Sequence, residues 1–540
     1  MSYGLLWIET LVVALLWVAG WLALAGRVRR GWCYRMLASV IVAAPLAVLG
    51  GVVALTASLK IGSHFRESRF GYATSLLVMF MGGMVVLLRM AGRRGEGQES
   101  RGGAMWPAGR LLLALASGAV VWTMTIWNMD LAVRSQLTAL RAEAGAIMLS
   151  VSPPAVNDSI NAAVVYEKAF RRLANDSSWK QDHDEKHPFN QEKPDMSSPA
   201  VAEFLARHAE TVSLIKQGAA LPECHFEHSY GRPSISMLLP ELSGLREAAR
   251  LLRLHGRYEL SQGRVEGAID DVNGMLRLSQ HAGRSPVLIA AFVGMATQSL
   301  ALETLQEVLP AVKTAEELKR ISLGDSDWIG RVMRRAMCTE EAFGLATFCD
   351  MGMGNITPEM VGDAPELVVW NTVSAQLEVA LYGVFLMSED VSAYREVMGL
   401  MQAYSLKPYY EVRERIAQTE RQSTEERRGI CTSLVVSPLA RAFRSMAMAE
   451  GKAEGARIAV AAVGYRLDRG RVAEKLEDLL PGYLKEVPLD PFDGKRMRYK
   501  VDGKDLVIYS VGPDLKDDGG REYERQSLNG DITFRVVAGQ

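Results

Sequence analysis

The chain has 540 residues, which is enough for several domains and at least one large hydrophobic core. Its formal net charge is only −1, but the charge is unevenly divided. Residues 1–134 carry 13 Lys and Arg against 5 Asp and Glu, whereas residues 135–540 carry 48 against 57. No run of basic residues interleaved with aromatics is present, so the sequence does not indicate nucleic-acid binding. This uneven distribution of charge favours a membrane region, residues 1–134, joined to a soluble region.

Four apolar segments in the basic part of the chain are predicted to cross a membrane as helices. They lie at about residues 5–26, 36–59, 70–88 and 111–133, and each is close to the ~20 residues that span a bilayer. Seven of the ten tryptophans fall in this region, several of them near segment ends, where the indole ring favours the interface. The sequence therefore predicts a four-helix transmembrane region in contact with the lipid bilayer.

The basic residues of the connecting loops predict the orientation of this region. Residues 27–35 and 89–110 together contain nine Lys and Arg, whereas the other loop and the segment after the fourth helix contain five. Cytoplasmic loops carry the excess of basic residues. We therefore expect both termini, and the large acidic part of the chain, to lie outside the cytoplasm of a bacterial cell and the protein to reside in its inner membrane.

Residues 135–455 are predicted to form an extracytoplasmic helical domain. Apolar residues recur with helical spacing through most of this range, and Pro153-Pro154 is expected to end the helix that continues from the membrane. Two helical stretches joined at Gly263 resemble a tetratricopeptide unit, but only about one and a half units are visible. An ordinary helical hairpin is the alternative that we favour.

The last segment, residues 456–540, follows a different pattern. After a helix that ends near Gly470, apolar and polar residues alternate with a period of two, and Asp502-Gly503 is a typical hairpin turn. Alternation resumes at Ile532, Phe534 and Val536. The sequence thus predicts a small α+β domain with a three-stranded antiparallel sheet, in a chain that is mainly α-helical.

A loop in this domain concentrates acidic residues. Asp514, Asp517 and Asp518 lie within five positions and are bounded by glycines, and Asp531 precedes the last strand. Carboxylates that converge repel one another unless a cation or solvent separates them, and Ca²⁺ accepts carboxylate and carbonyl oxygens in flexible geometry. The residues alone leave two alternatives open, a calcium site and a solvated acidic turn.

Several segments of this C-terminal part form an ordered series: Arg466-Leu467-Asp468-Arg469-Gly470, Leu489-Asp490-Pro491-Phe492-Asp493-Gly494, Tyr499, Ile508-Tyr509-Ser510-Val511-Gly512-Pro513-Asp514, Gly519-Gly520 and Asn529-Gly530-Asp531-Ile532. In order and spacing the series resembles the C-terminal domain of the major pseudopilin of type II secretion, the G subunit. That resemblance implies a helix packed on a short antiparallel sheet and a loop that binds one structural Ca²⁺, with Asp514 and Asp531 as the best-matched ligands and Asp517 and Asp518 as less certain ones.

The N-terminus is similar to a prepilin processing motif, with Gly4 before the cleavage point and Glu9 in the following helix. The leader is short and has no Lys or Arg, and three more apolar segments follow. We therefore expect Glu9 to lie near the membrane interface of an unprocessed helix.

The sequence Cys224-His225-Phe226-Glu227-His228 gathers residues that can bind a transition metal. No second ligand pair stands at a fitting distance along the chain, and no catalytic or nucleotide-binding fingerprint is present. Cys338 and Cys349 could form a disulfide outside the cytoplasm or remain free thiols.

These features predict a membrane-anchored, non-enzymatic scaffold or interaction protein whose C-terminal domain is stabilised by Ca²⁺. We expect it to act in secretion or envelope assembly and to bind proteins of those systems. The alternative is an extracytoplasmic metal-dependent hydrolase that uses Cys224, His225 and His228. A permease is less favoured because the membrane segments contain almost no ionisable residues beyond Glu9 and Asp130.

Overall fold

The fold is taken from a computed structural model that describes residues 135–176, 194–352, 387–425 and 430–537, apart from positions 229, 232, 234–236, 238, 326, 504 and 525. The four predicted membrane segments and Glu9 lie outside the described residues. Within the described ranges the protein is mainly helical with one small antiparallel sheet, which confirms the predicted fold class at that level.

The described residues form twelve α-helices and three strands. Helix α1 ends just before Pro153, as the Pro153-Pro154 pair predicts. The bounds are α1 135–151, α2 Ala162–Asn175, α3 Pro199–Arg207, α4 Ala209–Ala220, α5 Glu241–Ser261, α6 Val265–Ala282, α7 Leu288–Val308, α8 Ala315–Arg320, α9 Trp328–Gly352, α10 Met387–Tyr404, α11 Tyr409–Glu425, α12 Ile430–Arg469, β1 Arg498–Asp502, β2 Asp505–Ser510 and β3 Ile532–Val536.

Several helices begin at side chains suited to cap them. The Asn161 side chain accepts a hydrogen bond from the Ala163 backbone N–H at 3.1 Å, which satisfies a free donor at the start of α2. Helix α8 begins with a capping box, in which Thr314 and Glu317 each accept a hydrogen bond from the other's backbone N–H. Local sequence therefore fixes these helix starts.

Helix α7 lies at the centre of the helical part. It packs against α5, α6 and α12, and buried side chains cover most of its circumference, with Ile289, Ala296 and Glu307 exposed along one face. Among the described residues, the segment Leu288–Ala311 alone is long and apolar enough to cross a membrane, but 67% of its most apolar stretch is buried in the protein. Its hydrophobicity is that of a core helix.

The helical hairpin predicted around Gly263 is present. Helices α5 and α6 are joined by a short turn in which Gly263 has a φ of 74°, a left-handed conformation that favours glycine. The two helices pack along their length, and α7 covers both. The structure therefore contains the hairpin, while a tetratricopeptide relationship stays a prediction.

The three strands form a meander in the order β1-β2-β3. Tyr499 pairs with Ile508, and Ile508 pairs in turn with Phe534 on the other side of β2. Residues 502 and 505 close the first hairpin at the Asp-Gly turn. The alternation of apolar residues thus predicts the strands and their order.

One hydrophobic core includes both the sheet and the helical body. It contains side chains of helices α2 to α7, of the last part of α12 and of strands β2 and β3. A hydrogen bond from the Arg535 backbone N–H to Gln306 Oε1, 2.9 Å long, also joins β3 to α7. The predicted boundary between residues 455 and 456 falls inside α12, so the C-terminal segment and the helices before it are continuous in both chain and core.

Two glycines of α12 lie where this helix meets the sheet. Gly451 faces Ser510 and Ile532, and Gly455 faces Phe534. A β-carbon at position 451 would lie 3.5 Å from the Ser510 β-carbon, an ordinary contact, whereas one at position 455 would lie 2.9 Å from the Phe534 β-carbon. Gly455 therefore permits a close approach that no other residue allows without displacing the strand.

We expect alanine substitutions at these two glycines to have opposite effects. Gly451→Ala should leave the free energy of unfolding unchanged or raise it by up to ~1 kcal/mol, because alanine favours the helix. Gly455→Ala should lower it by ~1–3 kcal/mol, because the new methyl group overlaps the β-carbon of Phe534, which only a backbone shift can move. Urea unfolding followed by circular dichroism measures both.

The two variants serve as controls for each other, since both replace a buried glycine in the same helix. Equal effects of the same sign at the two positions would show that the sheet does not lie as close to α12 as described.

Candidate functional site

The corner formed by Asp490-Pro491-Phe492-Asp493-Gly494 is built around one buried carboxylate. Asp490 has no exposed surface, and its Oδ1 accepts hydrogen bonds from the Phe492 N–H at 2.9 Å and the Ser510 hydroxyl at 2.7 Å. Its Oδ2 accepts from the Val511 N–H at 2.9 Å and from Arg498 at 2.5 Å. The corner is therefore fastened to the end of β2 and to β1.

Arg498 joins this corner to the acidic loop. Its guanidinium also pairs with Asp493, and its Nε lies 3.9 Å from Asp517 Oδ2. Burial acts to raise the pKa of Asp493, but the hydrogen bonds from Arg498 and the Lys495 N–H, together with the positive charges of these two residues, outweigh it and hold that pKa below its usual value. Removing one partner of a buried ion pair costs ~3–5 kcal/mol. Asp490 and Arg498 are therefore important for the stability of the C-terminal segment, residues 456–540, which we call the head.

The predicted calcium ligands have separate partners in the described structure. Asp514 Oδ1 accepts a hydrogen bond from the Lys516 N–H at 3.1 Å. Asp517 Oδ1 accepts from the Tyr509 hydroxyl and from the Gly519 N–H, each at 3.0 Å. The bonds from the Lys516 and Gly519 N–H groups are local turn hydrogen bonds typical of aspartate in loops, whereas the one from Tyr509 joins Asp517 to β2. Asp517 is exposed and Asp514 is half-buried.

Asp518 and Asp531 differ in their surroundings. Asp518 is near the surface, with its Oδ2 3.6 Å from Arg521, whereas Asp531 is fully buried. Asp531 accepts hydrogen bonds from the Gly520 N–H at 2.7 Å and the Asp518 N–H at 3.4 Å. Burial raises its pKa, the two N–H donors oppose this, and the charges of Asp517 and Asp518 raise it further.

The four aspartates are thus neighbours, but they do not converge as metal ligands. Among the described residues, no group of three or more His, Cys, Asp or Glu side chains is arranged to hold a metal ion. Backbone N–H groups and guanidinium groups occupy the carboxylate oxygens instead. A calcium ion at this loop would require Asp517 and Asp518 to release their present partners.

The Cys224-to-His228 segment is held against the start of α2. The Asn161 side chain accepts a hydrogen bond from the His225 N–H at 2.9 Å and donates one to the His225 carbonyl at 3.0 Å. The Ala162 N–H donates to the Glu223 carbonyl at 2.7 Å. These contacts fix the backbone of the segment, which lines two neighbouring cavities.

The first cavity is small and brings together the three residues named for a hydrolase. Cys224, His225 and His228 all line it. Burial raises the pKa of Cys224 to about 12, so the thiol is protonated at neutral pH and is a poor nucleophile. His228 Nε2 lies 2.9 Å from Glu241 Oε1, while His225 Nδ1 is buried and has no hydrogen-bond partner among the described residues.

A buried histidine that the sequence pattern misses lines the same cavity. His281 Nδ1 lies 2.8 Å from the Tyr166 hydroxyl. Burial, together with the neighbouring cations Arg277 and Arg284, lowers the pKa of His281 to about 3. The imidazole is therefore neutral at physiological pH, and a hydrogen bond joins it to the Tyr166 hydroxyl.

The second cavity, which has a volume of about 340 Å³, is lined by the segment that joins α1 to α2, by Glu223 to His225, and by two arginines. Arg284 lies between α6 and α7, and Arg335 lies on α9. No sequence motif predicts that these arginines line a cavity, because the residues around it come from four separate parts of the chain.

Cys338 and Cys349, for which a disulfide was one alternative, are not joined by one in the described part of the chain. Comparison with protein-family models, curated proteins and solved structures finds no match to the chain.

Proposed function

We propose that this protein is a membrane-anchored extracytoplasmic scaffold. Four helices within residues 1–134 would hold it in the inner membrane of a bacterial cell, with both termini outside the cytoplasm. The uneven charge and the excess of basic residues in the first and third loops support this arrangement.

The continuity of the core carries the proposal. The pseudopilin-like segment shares its hydrophobic residues with helices α2 to α7 and is packed on the same long helix that continues the body. A head built in this way presents its loops in a fixed position relative to the helical surface. A scaffold requires a binding surface whose parts keep a fixed arrangement. We propose envelope or secretion proteins as the partners that bind this surface.

The groups considered for catalysis favour this proposal over the hydrolase. Cys224 is a protonated, buried thiol, and His228 is engaged with Glu241. Among the described residues, no three His, Cys, Asp or Glu side chains are grouped so as to hold a metal ion. Their contacts are those of a packed polar cluster.

Calcium at the head is a second element of the proposal. Burial raises the pKa of Asp531, the charges of Asp517 and Asp518 raise it further, and a bound cation would offset both effects. The ion would stabilise the folded head by mass action if it binds only that state. Asp514, Asp517, Asp518 and Asp531 are the residues that would hold it.

Crosslinking on intact cells tests the scaffold. A membrane-impermeant, amine-reactive crosslinker should join the head to another envelope protein through Lys516, which is exposed within the acidic loop. Lys516→Arg should remove that product, whereas Lys500→Arg, which changes an exposed lysine of β1, should not. Products are identified by mass spectrometry.

Products that form only after the membrane is broken would place the head in the cytoplasm and contradict the proposed orientation. If no product forms before or after the membrane is broken, the scaffold proposal is wrong.

Thermal unfolding tests the calcium element. Millimolar Ca²⁺ should raise the melting temperature of the chelator-treated protein by several degrees, since saturation at about 100 times the dissociation constant adds ~2.7 kcal/mol. Asp531→Asn should abolish the calcium-dependent rise, whereas Asp502→Asn, at the exposed hairpin turn, should retain it. Identical melting curves with calcium and with chelator would contradict the proposal that the loop binds calcium.

A further inference from the structure

The second cavity contains positive charge that the described structure does not balance. The Arg335 Nη2 donates one hydrogen bond, of 2.9 Å, to the Gly283 carbonyl. Arg335 has no carboxylate within ion-pair distance among the described residues, although Arg331 and Arg334 on the same helix both pair with Asp327. A half-buried guanidinium without a carboxylate is an uncommon arrangement, because desolvation of a charge is costly when it is not compensated.

The second arginine of the cavity is already paired. Arg284 Nη1 lies 3.0 Å from Glu223 Oε2, and Arg284 also donates to the Pro222 carbonyl at 3.2 Å. The lining of the cavity therefore holds two guanidinium groups and one carboxylate, a net charge of +1. Burial, followed by the neighbouring cations Arg284 and Arg331, lowers the pKa of Arg335 below its usual value. An anion placed here would reverse that effect.

The rest of the lining is suited to a small amphipathic molecule. Val151, Pro153 and Val156 supply apolar surface, and His225 lines the same cavity with a buried Nδ1 for which the described part of the chain supplies no hydrogen-bond partner. The backbone of His225 is fixed by Asn161, so this wall of the cavity is formed in advance. A volume of about 340 Å³ lies at the lower end of the range for small-molecule sites.

We infer that this cavity is a binding site for a small organic monocarboxylate, held through Arg335 with its apolar body against Val151, Pro153 and Val156. A single negative charge matches the net +1 of the lining, whereas a phosphate dianion would leave an uncompensated negative charge beside Glu223. Arginine is also the side chain best suited to two-point recognition of a carboxylate. This site is independent of the acidic loop and of the scaffold proposal.

Isothermal titration of the full-length protein in detergent tests the inference, with hexanoate as the probe. Hexanoate should bind, and its neutral counterpart hexanamide and inorganic phosphate should bind at least ~10-fold more weakly, because a charge-assisted hydrogen bond contributes at least a factor of ten. Arg335→Gln should weaken hexanoate binding by a similar factor, and Arg335→Lys should restore part of it.

The matched control is Arg334→Gln, which removes the adjacent positive charge on the same helix but not one that lines the cavity. Val156→Trp, in the connecting segment, fills the cavity without altering its charge and should also abolish binding. It keeps the test decisive if Arg335→Gln does not fold. The inference is wrong if hexanoate does not bind the wild-type protein, if hexanamide or phosphate binds as tightly, or if the folded Arg335 and Val156 variants bind hexanoate normally.

Discussion

The close approach of the sheet to helix α12 is the constraint on which the rest of the C-terminal structure depends. At Gly455 the helix backbone comes so near to Phe534 that a β-carbon would overlap the strand. This contact lets Ile508 and Phe534 enter the same core as α7. Because apolar side chains stabilise a fold only when they are removed from water, a sheet of three short strands gains most of its stability from the helices beneath it. The sheet and the helices therefore belong to one packed structure.

The buried ion pair at Asp490 complements that packing on the other edge of the sheet. It joins the Asp-Pro-Phe-Asp-Gly corner, the start of β1 and the end of β2 through one carboxylate that accepts four hydrogen bonds. Arg498 extends the network towards Asp517. The acidic loop is therefore anchored at its base by charges that are already compensated, and its surface aspartates are left to local turn hydrogen bonds. That division explains why neighbours in sequence do not form a common cluster in the described structure.

The sequence predicted those features that depend on local patterns. Alternating apolar residues and the Asp-Gly turn identified the meander, and Gly263 and Pro153 marked where helices turn or end. The sites that arise from tertiary packing were not predictable in the same way. Tyr166 meets His281 across 115 positions, and nothing in either local sequence specifies that contact. The cavity around Arg335 likewise depends on the packing of helices that are distant in the chain. In the acidic loop, composition indicated a cluster, but local hydrogen bonds separated its members.

The C-terminal segment, residues 456–540, shares one core with the helical body, and we expect the two to unfold as one cooperative structure. Native-state hydrogen exchange in increasing denaturant measures this cooperativity, because the exchange of each amide reports the free energy of the opening that exposes it. We expect Ile508 in β2 and Leu302 in α7 to exchange with the same opening free energy and the same dependence on denaturant. This expectation is contradicted if Ile508 exchanges through an opening of clearly lower free energy and smaller denaturant dependence while Leu302 remains protected, because the head would then unfold on its own.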